Sequence, residues 1–167
     1  MEKKILIEEE ELRYEGLMDL RNLYLEIDQY LREHGYDRYE HKNYEYLLPD
    51  GKQVFIELRP WKKLSDYCKG EMKIEMTFKN LIEVEIDHDG MKETLLKGHA
   101  RMVFQARLLT DYEEKWEATP VYHFIRTFVD KFIHKTQTQE FEAETMNDAF
   151  KLIDEIKAFL NLHRYKT

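Results

Sequence analysis

Between Glu71 and His88 apolar and polar side chains take turns. Met72, Ile74, Met76 and Phe78 fall on one side and Glu71, Lys73, Glu75 and Thr77 on the other, and Ile82, Val84 and Ile86 repeat the pattern against Glu83, Glu85 and Asp87. A period of two sends successive side chains to opposite faces of a strand, so this stretch predicts extended chain with one face on a core. Parallel strands buried on both faces would read as unbroken apolar runs, and the alternation therefore predicts antiparallel pairing. The pattern divides into a strand pair reversing near Lys79-Asn80, with Asp87-His88-Asp89-Gly90 supplying an Asp-Gly turn into a strand from Met91 to Lys97. Ala100, Met102, Phe104, Ala106 and Leu108 form a further apolar stripe, with His99, Arg101, Val103, Gln105 and Arg107 opposite, and the chain is expected to stay extended towards Trp116.

The flanking segments read as follows. Lys4 to Tyr14 predicts a first strand, ended by Gly16, whose four consecutive glutamates suit only a solvated edge or end of a sheet. From Leu17 to His34 the apolar positions Leu17, Leu20, Leu23, Tyr24, Ile27, Tyr30 and Leu31 recur at three and four, the spacing of an amphipathic helix closed by Gly35. Asn43 to Leu48 and Gln53 to Arg59 flank the turn residues Pro49-Asp50-Gly51-Lys52 and predict a hairpin, followed by an irregular connection from Pro60 to Gly70. Thr119-Pro120 opens a helix through about His134, with Val121, Phe124, Ile125, Phe128 and Phe132 on its core side and Tyr122, Val129 and Ile133 on an apolar flank. After the polar stretch Thr136 to Glu140, Thr145 and Asp148 resemble a capping box for a last helix carrying Ala149, Leu152, Ile153, Ile156 and Leu160.

The expected fold class is α+β: a single curved antiparallel sheet of about five to seven strands packed against helices, in the order strand, helix, strands, helix, helix. That order is similar in topology to helix-grip folds, which implies a sheet wrapped on a long C-terminal helix with room for an apolar cavity. With 167 residues and no linker, repeat or low-complexity segment, residues 1–167 are expected to form one domain.

Composition adjusts this picture in three ways. A charged fraction of 36% against 43% apolar residues argues for a heavily solvated surface. The net charge of −8 provides no global basic field to collect nucleic acid or anionic lipid, and neither is expected as a partner. The lone Cys68, no signal-peptide pattern and no apolar run long enough to span a bilayer lead to the expectation of a soluble, cytoplasmic chain without membrane association.

Candidate chemistry is sparse, and no phosphate-binding glycine loop, nucleophile elbow or zinc-ligand spacing is present. Glu75, Glu85, Asp87, His99, Arg101, Gln105 and Arg107 share the polar sheet face, where opposite charges form either a solvated ladder or an anion site. Asp87-His88-Asp89 offers two carboxylates and an imidazole, but alternation splits them, and no metal or cofactor is expected. Tyr36, Tyr39, Tyr44 and Tyr46 interleave with Arg38, His41 and Lys42, a mixture suited to sheet packing, to a protein interface or, less well, to stacked bases. Arg59-Pro60-Trp61-Lys62-Lys63 reads as a basic tip with an exposed aromatic. Cys68 reads as a small buried hydrophobe, and His123 and His134 lie three turns apart, too far to share a metal.

Glu9-x-Glu11-x-Arg13 resembles the Glu-x-Glu-x-Lys opening strand of triphosphate tunnel enzymes, with arginine in place of lysine. The resemblance implies a metal-dependent phosphohydrolase in which Glu9 and Glu11 hold metal and Arg101 and Arg107 hold phosphate. The principal expectation is different: a non-catalytic module that binds a small apolar ligand or a protein between sheet and helices. Met72, Met76, Phe78, Met102, Phe104, Phe124 and Phe128 would line the pocket, with His99 or Arg101 reached at a strand end. A third reading is a homodimer formed through Tyr122, Val129 and Ile133.

Overall fold

The computed structural model describes residues 2–37, 39–110 and 134–164. Six strands and two helices follow in the order β1 (Glu2–Met18), α1 (Leu20–Glu33), β2 (Glu40–Leu48), β3 (Gly51–Leu58), β4 (Trp61–Lys63), β5 (Cys68–His88), β6 (Met91–Thr110) and α2 (His134–Arg164). The strands form one open antiparallel sheet in the order β1-β6-β5-β3-β2, with β4 added to β5. The α+β class, the single sheet and the antiparallel pairing expected from the alternation are all present. The helix expected from Thr119 and the extension towards Trp116 lie outside the described residues.

β5 and β6 form a long hairpin turned at Asp89-Gly90, both of which have left-handed φ angles of 51° and 81°. That geometry matches the strand twist, and the Asp87 Oδ1 accepts the Gly90 N–H at 3.1 Å to close it. The chain does not reverse at Lys79-Asn80. Instead β5 passes straight through, with Asn80 at φ 55° and a register shift between Lys79 and Ile82. The extra residue is a bulge, which keeps one strand but flips its side-chain parity. Leu81 consequently joins Phe78 in the core, whereas Ile82, expected to be buried, is 58% exposed.

Further boundaries differ from the sequence expectation. Gly16 does not end β1, because it pairs with Gly98 in the sheet and the strand runs on to Met18. The Pro60–Gly70 connection contains β4, whose Trp61 also exchanges backbone hydrogen bonds with Asp37 at 2.8 and 3.0 Å. Thr145 and Asp148 do not cap a helix: α2 runs unbroken through Thr136–Glu140, which carries no glycine or proline to stop it. Thr145 sits mid-helix with its hydroxyl bonded back to the Phe141 carbonyl at 2.8 Å. At α1 the C-terminal signal holds, with Gly35 at φ 78° just past the last turn, but Leu17, expected as the first apolar position of the helix, lies in β1, and the helix begins at Leu20 after Asp19, which caps it by accepting from Asn22 N.

The core lies between one sheet face and the two helices. Met72, Ile74, Met76 and Phe78 of β5 meet Ala100, Met102, Phe104 and Ala106 of β6, and Leu152, Ile153, Ile156 and Leu160 of α2 pack in the same cluster. Side chains so fully withdrawn from water contribute about 1.5–3 kcal/mol each, which makes this face the main source of stability.

Candidate functional site: an apolar cleft and a charged sheet face

Of the residues expected to line a pocket, Met72, Met76, Phe78, Met102 and Phe104 are all within the packed core and at most 2% exposed. His99 and Arg101 occupy the opposite face of β6, since odd and even positions of one strand diverge. The sheet thus separates the two groups. Phe124, Phe128 and the flank residues Tyr122, Val129 and Ile133 lie outside the described residues.

The outer sheet face is a lattice of ion pairs. Arg13 stands directly across from Arg101, an unfavourable pairing of like charges that Glu11 relieves by accepting from both. Arg101 Nη2 lies 2.9 Å from Glu11 and 3.8 Å from Glu9. The hydrogen bonds from Arg13 and then Arg101 hold the Glu11 carboxyl below the usual carboxylate range. Glu9, Glu11, Arg13 and Arg101 therefore do come together, while Arg107 is engaged separately by a bidentate bond to Glu71 at 2.8 and 2.7 Å. The two end strands, β1 and β2, are not paired with one another, so the described sheet stays open. A shallow hollow of about 540 Å³ beside this cluster is lined by Arg13, Thr77, Lys79, His99 and Arg101, among others.

On the same face Glu57 is only 2% exposed and stands directly opposite Glu75. Burial pushes its carboxyl up, but the hydrogen bond from Arg59 and the charges of Arg59, Lys73 and Lys42 outweigh that and leave it below the usual range.

The remaining candidates resolve individually. Asp87, His88 and Asp89 are exposed at the hairpin tip, and among the described residues no group of three or more His, Cys, Asp or Glu converges as a metal site. The basic tip is not an exposed contact: Trp61 is half-buried beneath the Lys69 ammonium, 4.4 Å from the ring, and Lys62 is drawn to Glu144 at 2.5 Å. Cys68 is buried, and burial pushes its thiol up, partly offset by Ser65. Of the tyrosines, Tyr36 is buried while Tyr39, Tyr44 and Tyr46 are exposed.

A broad, open cleft of about 800 Å³ between α1 and the inner side of β2 and β3, as shallow as the hollow on the outer face, has no counterpart in the sequence expectations. Met18 and Val54 form a buried floor, Leu20, Tyr24, Ile56 and Leu96 are half-buried walls, and Leu25 and Leu47 are exposed at the mouth. Asp19, Glu40, Glu45 and Glu83 surround it against Arg21 and Lys52, and Lys52 is paired to Glu45 at 2.7 Å. The sequence signals were two leucines out of place: Leu25 on the polar side of its helix and Leu47 on a strand without buried residues.

Among the described residues, fold and site define an α+β architecture with a six-stranded antiparallel sheet, a cleft beside α1 and a charge-paired outer face. No family model, no curated protein and no solved structure matches the chain. Among the described residues no helix is long and apolar enough to cross a membrane.

Proposed function

We propose that this chain is a non-catalytic binding module whose ligand places an apolar body in the cleft between α1 and the β2–β3 hairpin. The observation that carries this reading is the cleft itself. Its volume of about 800 Å³ is that of a small-molecule site, and its buried apolar floor is ringed by a few polar groups. A helix-grip-like arrangement fits the same reading, supported by a first strand that joins the last and a C-terminal helix lying on β1, β5 and β6. The phosphohydrolase reading is less well supported, because Glu11 is already neutralised by two arginines and the sheet is open.

The ring of four carboxylates against two cations favours a cationic or uncharged head group over an anionic one. Calorimetric titration with dodecyltrimethylammonium and with dodecanoate, each below its micelle concentration, tests this. Saturable one-to-one binding is expected for the cation, at least about tenfold tighter than for the carboxylate. Val54→Trp, which fills the floor, should abolish it. No saturable binding of either probe, or binding unchanged by Val54→Trp, would reject the cleft as a ligand site.

A further inference from the structure

The sheet has two ends, and they are built differently. β1 carries Glu8, Glu9, Glu10 and Glu11 in succession and is broken by register shifts between Ile5 and Ile7 and between Ile7 and Glu10. Charge and bulges of this kind are how proteins keep an edge from pairing. β2 has less of that protection: its one register shift lies at the end, between Glu40 and Lys42, its charges are scattered and of both signs, from Lys42 to Leu48 its register against β3 is unbroken, and no residue of the strand is buried. Tyr44, Tyr46, Leu47 and Leu48 are 48%, 54%, 84% and 50% exposed. Among the described residues no strand lies beyond β2, and an extended edge that offers backbone groups together with aromatic and aliphatic side chains is a template for another strand.

We propose that β2 pairs antiparallel with β2 of a second copy of this chain about a two-fold axis at Tyr44, joining the two sheets into one. Residues directly opposite in an antiparallel pair share a face, so an axis perpendicular to the sheet must pass through a residue, and it keeps both sets of helices on one side. Tyr44 is the midpoint of Glu40–Leu48, and about it Lys42 to Tyr46 pair regularly, the register shift between Glu40 and Lys42 falling at the end of the strand. On the outer face this axis sets Tyr44 against Tyr44 of the second copy and Lys42 against its Tyr46. On the inner face Asn43 meets the second copy's Glu45. No like charges stand opposite one another, whereas axes at Lys42 or Glu45 would oppose two ammoniums or two carboxylates. The ring of Tyr44 is already stacked on Phe55, with centroids 6.4 Å apart, and Lys42 leans towards Glu57 at 3.7 Å, so both groups are pre-positioned. Because each copy's other edge is the blunted β1, the isologous contact closes at two chains and does not propagate.

Sedimentation equilibrium of the full chain over a range of concentrations reads the association directly, and a concentration-dependent dimer is expected. Tyr44→Glu and Tyr44→Lys each place like charges on the axis and should weaken self-association at least about tenfold. An equimolar mixture of the two variants should restore it, and far-ultraviolet circular dichroism with a thermal melt establishes that both remain folded. Mild oxidation of Tyr44→Cys should cross-link two chains, since directly opposed Cα atoms lie within disulfide reach. Tyr46→Cys, displaced four residues from its counterpart, should not. Cys68 is buried and does not compete. A wild type that stays monomeric at millimolar concentration, or a dimer that survives in both charged variants, overturns the proposal. Cross-linking of Tyr46→Cys as fast as Tyr44→Cys overturns the register on which it depends.

Discussion

The Tyr36 hydroxyl donates to the Asp148 carboxylate at 3.0 Å, joining positions 112 residues apart in the chain. The same aspartate accepts the Tyr30 hydroxyl on its backbone carbonyl at 2.7 Å and faces Lys62 Nζ at 3.5 Å. One residue of α2 thus anchors the end of α1 through its carbonyl, and the segment after it and β4 through its carboxylate. Tyr36→Phe removes one hydrogen bond to a charged acceptor and should lower stability by about 1.5–3 kcal/mol. Asp148→Ala strands the buried Tyr36 hydroxyl and leaves Lys62 with Glu144 alone, and it should be more damaging, by urea denaturation at pH 7. Burial, and after it the charge of Asp148, pushes the Tyr36 hydroxyl far above its usual range. Its proton is held more tightly in the folded chain, so this contribution falls as pH rises beyond about 10, where the unfolded tyrosine ionises. Tyr36→Phe should therefore flatten the alkaline loss of stability.

Gly98 is required for a steric reason. A Cβ there would stand 2.7 Å from the Lys79 carbonyl oxygen and 3.1 Å from that of Asn80, both backbone atoms of the β5 bulge. Gly98→Ala must displace the strand, and overpacking of this kind costs about 1–3 kcal/mol. Gly90 supplies the contrast: it has φ 81°, and a Cβ would meet nothing within 4 Å. Gly90→Ala should cost only its backbone strain. Urea midpoints are expected to rank wild type above Gly90→Ala and Gly90→Ala above Gly98→Ala, and the reverse order of the two variants would remove the bulge collision as the cause.

The filled core makes a separate prediction. Phe78 and Met102 are at most 1% exposed, and Met102→Ala should cost about 2–5 kcal/mol and Phe78→Ala about 3–5 kcal/mol, because truncation opens a cavity that rigid neighbours cannot fill. If these side chains lined a ligand cavity, truncation would merely enlarge it. Losses under about 1 kcal/mol for both would point to that cavity.

How much of this was legible in the sequence depended on range. The period-two stripe Met72 to Phe78, the body of α1 with Gly35 at its end, and the Asp89-Gly90 turn are local signals, each set by steric preferences within a few residues. The bulge was not legible, because Asn80 reads equally as a turn residue or as a bulge at positive φ, and only pairing with β6 decides between them. Thr145 and Asp148 misled for the same reason: their cap-forming chemistry is real, but a distant Tyr36 claims the carboxylate and the helix continues. The polar sheet face was readable as a set of residues, yet which charges meet required strand order, as with Glu11 between Arg13 and Arg101. The cleft was least visible, since its lining comes from α1 and from β1, β2, β3, β5 and β6, and no single stretch carries it.

Glu57 ties the charged face to pH. It is nearly inaccessible to water, opposes Glu75, and is held ionised by Arg59 Nε at 2.7 Å with Lys42 at 3.7 Å. Because its folded pKa is depressed, its contribution is fully present above the unfolded carboxylate value of about 4.3 and disappears as pH falls through the folded value. Glu57→Gln keeps the shape but removes the charge that Arg59, Lys42 and Lys73 surround, and among the described residues Lys73 alone of the three retains a charged partner, Glu75 at 2.6 Å, on this face. The variant should be less stable than wild type at pH 7, and the difference should narrow steadily from pH 5 to pH 2 as the wild-type carboxylate is protonated. Urea midpoints across that range measure it. A gap of constant size at every pH would mean that the substitution acts through packing, and that the carboxylate does not supply the electrostatic support assigned to it.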